Sequence, residues 1–375
     1  MDNPFKKFFS SGNLFGGGGS DSAVGIDIGS SSIKVVEIKK KNGKAVLETY
    51  GAIALGPYAD LDNGRVTNLP AEKIVEALKE VLKQSGVTTP SVALSVPVQS
   101  SLIFTIDLPA QVKQSELASI IPTEARKYIP VPITEVSLDW FVLPKKEASF
   151  EEANNPDLAS LPADKTEVLV VAIQNDAVSK YRSLVSQCSL EAGFFEIEIF
   201  SSIRANFEHE LSPVLLMDFG ASHTKLSIVE FGSVRGFHII NRGGADITDA
   251  ISKSLSIPYS KAEEMKKEFG LFGSPAEKSL SDIIKIHTDY IFSETNNVLL
   301  GYEKKYNRTI SKVILTGGGS LLKGLPETAS NNFRAEVKIG NPFSKIGAPA
   351  FLGKVLETTG PEFAIALGLA LRKLQ

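Results

Sequence analysis

Cysteine is almost missing from this 375-residue chain: Cys188 stands alone, which excludes an internal disulfide and any cysteine-based zinc cluster. Histidine is nearly as scarce, with four residues scattered singly at 209, 223, 238 and 287. The two shortages predict a cytosolic protein without a structural metal. Long apolar runs are missing too. No stretch approaches eighteen residues, and Met1 to Phe9 lacks the apolar region and cleavage site of a signal peptide, so neither a membrane span nor export is expected. Excess charge is small, at −3, which gives no broad basic field and no expectation of a nucleic-acid partner. What remains is 43% hydrophobic and 22% charged sequence, long enough for two or three lobes with ample core.

Along the chain, residues 1–22 read as a flexible tail in which Phe5, Phe8, Phe9 and Phe15 alternate with Lys6 and Lys7 ahead of Gly16 to Gly19. The tail is either a plain disordered leader or a segment that touches a lipid layer or a partner groove. From Ala23 the apolar runs break at Gly29 and at Asn42-Gly43, predicting successive hairpin strands. A helix follows over 71–84, stopped near Gly86, and then a strand over 92–96. Strand 102–106, helix 115–128 interrupted by Pro122, strand 136–143, an acidic loop from Lys145 to Lys165, strand 167–173 and helix 176–192 form a block set into the first lobe. The organisation expected is therefore a first lobe from 23–99 and 193–211, an inserted subdomain over 100–192, and a second lobe over 212–375.

The second lobe repeats the opening of the first. LLMDFGASHTKLSIVE lies on VGIDIGSSSIKVVEI, with Asp27, Gly29, Ser31 and Lys34 over Asp218, Gly220, Ser222 and Lys225, at a separation of 191 residues. Such internal repetition predicts two related, strand-rich halves. Each copy sits where one apolar strand stops at a glycine and the next begins. A turn in which Gly29 permits close approach, Ser30, Ser31 and Ser32 offer N–H and hydroxyl groups, and Lys34 adds charge suits a phosphate. Asp27 and Asp218, ending two buried strands toward one cleft, suit a hydrated Mg²⁺ ion that keeps its waters and its substrate phosphates. A single Gly-Ser turn after an Asp is an ordinary turn former, so the weight rests on the pair.

Three further features stay open between a structural and a binding use. Gly317, Gly318 and Gly319, after the strand 313–315, form either a tight turn or bare backbone for a flat base or ribose. Gly243 and Gly244 precede a helix whose N-terminus either binds an anion or is capped by Asp246. Ser260 and Glu263 fit a capping box for the helix that Gly270 ends, while Glu263 with Lys266, on the same helix face, also fits a ribose or base contact. Cys188, inside a predicted helix, reads as packing, and His223 as an exposed turn residue or a nucleotide neighbour. No Walker A or G-x-S-x-G motif is present.

The order of these motifs, closed by FAIALGLAL near the end, resembles the actin, Hsp70 and sugar-kinase superfamily over nearly the whole chain. Within it, SVPVQSSLIFTIDLP, EARKYIPVP and EVSLDW are similar to the PilM family of type IV pilus assembly, with FtsA as the related cell-division family. The resemblance implies an α/β, two-lobed actin/Hsp70-like (ribonuclease-H-like) fold with an FtsA-type inserted subdomain. It implies ATP and Mg²⁺ as ligands. Asp27, Gly29, Ser30, Ser31 and Lys34 would face the phosphates, Asp218, Gly220 and Ser222 the magnesium, and Gly243, Gly244, Glu263, Lys266, Gly317, Gly318 and Ser320 the ribose and adenine. As partners it implies the N-terminal cytoplasmic tail of a PilN-like membrane protein, received near Ile103 to Leu108, other inner-membrane pilus components, and self-association, with the chain held at the inner face of the cytoplasmic membrane.

Two departures qualify what the resemblance implies. Where actins place a water-orienting glutamine, this chain has EIEIFSSIRANFEHE, in which Glu196, Glu198 and Glu208 are unassigned stand-ins, so a slow ATPase at most is expected. Nothing follows Gln375, where FtsA-like chains continue into an amphipathic helix, which points to PilM rather than FtsA. A small-molecule kinase is the alternative from another class, and the polar set that would bind its acceptor is not visible.

Overall fold

Two tight reversals start the first sheet of the computed structural model, which describes residues 21–144, 165–208, 210, 212–274, 276–277 and 279–374. Strand β1 (Ser22–Ile28) turns at Gly29 into β2 (Ser32–Lys41), and β2 turns into β3 (Lys44–Ala54) through Asn42 and Gly43. Those two residues have φ of 52° and 76°, the left-handed pair that matches the twist of a two-residue hairpin. Ser22, assigned to the tail by sequence, already belongs to β1 and donates to the buried Glu37 at 2.8 Å. The remainder of the tail through Ser20 and the acidic loop from Lys145 to Asp164 lie outside the described residues.

Helix α1 (Ala71–Gln84) buries Ile74, Val75, Leu78 and Val81, the stripe its spacing predicts. β4 (Ser91–Val96) then pairs parallel with β1. The inserted block makes its own antiparallel sheet from β5 (Ser101–Pro109), β6 (Val136–Val142) and β7 (Lys165–Gln174), with β7 in the middle. α2 (Leu117–Ala125) lies on it. This helix is shorter than the predicted 115–128: residues 114–116 form a 3-10 turn, and the helix ends three residues past Pro122. Along β7, Val168, Val170 and Ala172 face α2, while Leu169, Val171 and Ile173 join the core of the first lobe. Burial on both faces explains why the run reads as continuously apolar.

α3 (Asn175–Gln187) is followed by β8 (Glu191–Ile197), which pairs parallel with β4. The predicted helix 176–192 therefore overruns by five residues. Its exit is made by Ser189 at φ 56°, a position where no glycine announces the left-handed turn. α4 (Glu198–Asn206) carries the chain into the second lobe.

There β9 (Val214–Phe219), β10 (Thr224–Glu230) and β11 (Ser233–Ile240) repeat the opening hairpins. Helices α5 (Gly244–Leu255), α6 (Tyr259–Phe269) and α7 (Ser279–Tyr306) follow. β12 (Lys312–Thr316), α8 (Leu325–Asn332), β13 (Glu336–Ile339), α9 (Gly353–Thr359) and α10 (Ala364–Leu374) complete the chain. The sheet orders are β3-β2-β1-β4-β8 and β11-β10-β9-β12-β13, the same plan twice. The last helix crosses back: Ala366, Leu367 and Ala370 of α10 pack against Ala23, Val36 and Ile38 of the first sheet. Gly25 allows this approach, since a Cβ there would lie 1.8 Å from the Ala366 carbonyl oxygen.

Candidate functional site

The duplicated motif is duplicated in geometry. Asp27 stands opposite Lys34 in the β1–β2 register and Asp218 opposite Lys225 in the β9–β10 register. In both turns the glycine N–H donates to the carbonyl three residues on, Gly29 to Ser32 and Gly220 to His223, each at 3.0 Å. The Ser30 and Ser31 carbonyls are tied back by the N–H groups of Thr67 and Leu55, which fixes the first loop against its own lobe. The two turns face each other across a cleft of about 910 Å³, in the upper range of small-molecule sites.

The third glycine loop closes the floor. Gly317 has φ +79° and ψ 165°, a region open essentially to glycine, and a Cβ there would lie 2.3 Å from the Asp218 Oδ1. At Gly319 a Cβ would meet the Phe219 ring at 2.6 Å, whereas at Gly318 its nearest neighbour is Glu362 at 3.9 Å. Bare backbone of this kind gives a flat ligand a surface to lie on.

Asp27, Gly29 to Ser32, Lys34, Gly220, Ser222, Asp218, Gly244, Glu263, Lys266 and Gly317 to Gly319 all line the one cleft. Gly243 and Ser320 stand behind it. A Cβ on Gly243 would lie 2.4 Å from the Ala221 carbonyl oxygen, and the fully buried Ser320 hydroxyl donates to the Gly317 carbonyl at 2.7 Å. Both shape the loops. The N-terminus of α5 is already used: Gly243 N–H donates to Asp246, Gly244 N–H to the Gly220 carbonyl and Ala245 N–H to the Ala221 carbonyl.

The capping box expected of Ser260 and Glu263 does not form, because α6 starts at Tyr259 after Pro258 and leaves Ser260 inside the first turn. Glu263 instead accepts from Lys266 at 2.6 Å and Thr248 at 2.5 Å, and Lys266 also donates to the Gly244 carbonyl at 2.9 Å. Burial pushes the Lys266 ammonium below its usual range. It opposes ionisation of Glu263 as well, but Lys266 and Thr248 hold that carboxyl below the usual carboxylate value. Gly270 ends the helix at φ 56°, as its sequence predicts.

The cleft base concentrates charge. Asp27 accepts from Ser95 at 2.8 Å, and Lys225 Nζ lies 2.6 Å from Glu198 Oε2 and 3.4 Å from Asp218 Oδ2. Glu198 Oε1 accepts the Val98 N–H at 3.1 Å. Burial, with Asp27 and Asp218 beside it, pushes Glu198 up, against the pull of Lys225. Burial would lower Lys225, but the Asp218 and Glu198 carboxylates outweigh it and raise the ammonium above its usual range. Asp27, Glu198 and Asp218 thus gather carboxylate oxygens at the cleft base, a donor type that suits a hydrated cation. Among the described residues no group of three or more His, Cys, Asp or Glu is placed to hold a metal on its own. That donor set fits an ion arriving with phosphates.

Of the three glutamates left open by sequence, only Glu198 lines the cleft. Glu196 is fully buried away from it, held by Arg204 at 2.7 and 2.8 Å, by Arg372 at 2.6 Å and by Ser201. Glu208 is exposed outside it. Gln99 was missed; its Nε2 lies 3.4 Å from His223 Nδ1, joining the lobes across the opening. Gln99 and Glu198 follow the carboxyl ends of the parallel strands β4 and β8, and that position is the signal that finds them. Three more contacts cross the opening. Arg65 lies 2.7 Å from Asp249 and its guanidinium covers the Tyr259 ring, whose hydroxyl donates to the Gly64 carbonyl at 3.1 Å. Half-buried His223 is depressed by burial, and burial raises the Cys188 thiol at the end of α3, away from nucleophilic use.

The family model described as type IV pilus assembly protein PilM matches residues 25–374. The chain is 26% identical over 355 residues to the cell division protein FtsA of Staphylococcus epidermidis, covering 85% of this chain and 74% of that protein. It is 24% identical over 371 residues to FtsA of Pseudomonas aeruginosa, covering 90% and 87%. Among solved structures, a PilM–PilN type IV pilus biogenesis complex aligns with TM-score 0.77 at 24% identity, over 94% of this chain and 98% of that one. The ethanolamine utilization protein EutJ from Carboxydothermus hydrogenoformans aligns with TM-score 0.54 at 14% identity, over 94% and 90%.

Proposed function

Because the chain belongs to the PilM family of type IV pilus assembly proteins, with the actin-like two-lobed fold, we propose that it is an actin-like scaffold that holds Mg·ATP in its interlobe cleft and binds the cytoplasmic tail of a PilN-like inner-membrane protein. The observation that carries the nucleotide reading is the duplicated turn: Asp27 with Lys34 and Asp218 with Lys225 occupy equivalent register positions and face one cleft. Gly29 to Ser32 and Lys34 would take the phosphates. Asp27 and Asp218 would order the waters of a magnesium ion, and the Gly317 to Gly319 floor would receive the flat end of the nucleotide. Bound ATP and magnesium supply counter-charge between the lobes; the chain's own part is to orient them and fix the lobe angle.

Turnover is slow on this reading. Among the described residues the one glutamine that lines the cleft, Gln99, is turned to His223 at the opening, and Glu198 at the base already accepts from Lys225 and Val98. A water-positioning group contributes roughly 10²–10⁴-fold, which is the rate this arrangement forgoes. We place the partner tail on the inserted subdomain beside β5, where an apolar hollow lies between Leu108, Val112, Leu117 and Val142. No helix of the described residues is long and apolar enough to cross a membrane, so attachment to the membrane's inner face would run through the partner.

Calorimetry tests the cleft. Wild type should bind ATP in the presence of magnesium, and Asp27→Ala and Asp218→Ala should each weaken it by about 1–3 kcal/mol, the scale of a lost charge-assisted contact. No binding at millimolar ATP, or unaided turnover at an ordinary enzyme rate of about 1 s⁻¹ or faster, would overturn the corresponding half of the proposal.

A further inference from the structure

The two repeats give their lysines different partners. Lys34 donates to Ser32 Oγ at 2.8 Å within its own turn. Lys225, at the equivalent position, reaches out of its lobe to Glu198 of α4 at 2.6 Å and keeps Asp218 at 3.4 Å. Its side chain and that of Glu198 are only 11% and 10% exposed, so water screens the pair little. Each oxygen of Glu198 is engaged, one by this ammonium and one by the Val98 N–H. The pair therefore joins the first lobe to the second at the base of the cleft and occupies the glutamate that stands there.

The geometry points to Lys225 as a restraining residue, an interlobe brace that keeps Glu198 from serving a water and so makes the protein a holder of nucleotide rather than a hydrolase. The inference rests on the proposed binding of Mg·ATP. Released from Lys225, the Glu198 carboxylate would accept a proton from a water as the water oxygen bonds to the γ-phosphorus and the bond from that phosphorus to the ADP oxygen breaks. The products are ADP and inorganic phosphate, with the proton then passing to solvent.

Lys225→Met keeps the aliphatic stem and removes the charge. In the full chain at saturating Mg·ATP it should turn the nucleotide over at least tenfold faster than wild type, and adding Glu198→Gln should abolish the gain. Without nucleotide, amide hydrogen exchange at residues 97–100 and in the first turn of α4 should quicken severalfold in Lys225→Met, because the tie across the lobes is gone. Lys225→Gln, which can still donate to Glu198, should show a smaller rise. Unchanged turnover in a Lys225→Met protein that binds Mg·ATP, or a gain that survives Glu198→Gln, would overturn the inference. Failure of both Lys225 variants to fold would reject restraint in favour of a purely structural brace. If wild type binds no Mg·ATP, the nucleotide reading fails instead, and the exchange measurement alone decides whether the brace exists.

Discussion

Gly317 and Gly43 both hold positive φ, at 79° and 76°, yet they are not equivalent positions. Around Gly43 nothing lies within 4 Å of a would-be Cβ, so alanine there bears only the left-handed backbone cost of about 1–2 kcal/mol. At Gly317 the same methyl would stand 2.3 Å from the Asp218 carboxylate and 2.7 Å from the Phe219 carbonyl. Gly317→Ala should therefore cost about 1–3 kcal/mol in backbone strain, with displacement of Asp218 added. We expect it to weaken Mg·ATP binding as strongly as Asp218→Ala, while Gly43→Ala leaves binding unchanged; calorimetry and urea denaturation of both variants decide it. The glycines of the three loops were legible because a turn that needs glycine shows it in sequence. Glu198 was not, because EIEIF spaces its two glutamates so that one ends on a strand and the other on a helix. Only the fold sends Glu196 inward to Arg204 and Glu198 into the cleft.

At the scale of elements, a fully buried carboxylate lies where α10 returns to the first sheet. Glu196 holds Arg204 of α4 and Arg372 of α10, and Arg204 also donates to the Gly368 carbonyl at 3.0 Å. Burial alone would raise the Glu196 carboxyl, but the two guanidinium groups and Ser201 hold it below its ordinary 4.5. A carboxyl depressed in the folded state binds fewer protons than it does in the unfolded chain. Its contribution is therefore full above about pH 4.5 and is lost as pH falls through the depressed value. Glu196→Ala should cost about 3–5 kcal/mol near neutrality, since it removes the buried carboxylate that Arg204 and Arg372, only 10% and 13% exposed, share. Glu196→Gln should flatten the acid limb of the stability curve below pH 4.5, and urea denaturation across that range reads both. An acid limb unchanged in Glu196→Gln would refute the assignment. Sequence showed α10 as a packed helix from its small apolar residues, but not which sheet it packs on. That depends on Gly25, which lets the Ala366 backbone approach the first sheet, and on Gly368, which lets α10 approach Ser201 of α4.

Taken whole, the molecule is two copies of one sheet plan with a third sheet inserted, and the repeat was legible because both copies keep their turn residues. The insert is not a loose appendage. One face of β7 completes the first lobe's core, and Glu167 at its start reaches Arg235, Lys305 and Tyr306 of the second lobe at 3.2, 3.1 and 3.0 Å. Arg235 in turn pairs with Glu230, which Arg308 also binds at 2.6 Å. Removing residues 100–192 would strip Leu169, Val171 and Ile173 from that core and leave Arg235 buried without Glu167, so a deletion cannot separate lost binding from lost folding. A point change can. Val112 is part-exposed at the rim of the hollow beside β5, and Val112→Glu places a charge where an apolar side chain of a bound peptide would sit. A peptide that adds along a strand edge draws affinity from main-chain bonds and choice from one or two such pockets. We expect a PilN-like cytoplasmic tail peptide to bind the full chain, and Val112→Glu to weaken it at least tenfold by fluorescence anisotropy while Mg·ATP binding and the denaturation midpoint stay as in wild type. Undiminished peptide binding in that folded variant would move the docking site away from the hollow, and with it the proposed route by which this chain meets the membrane.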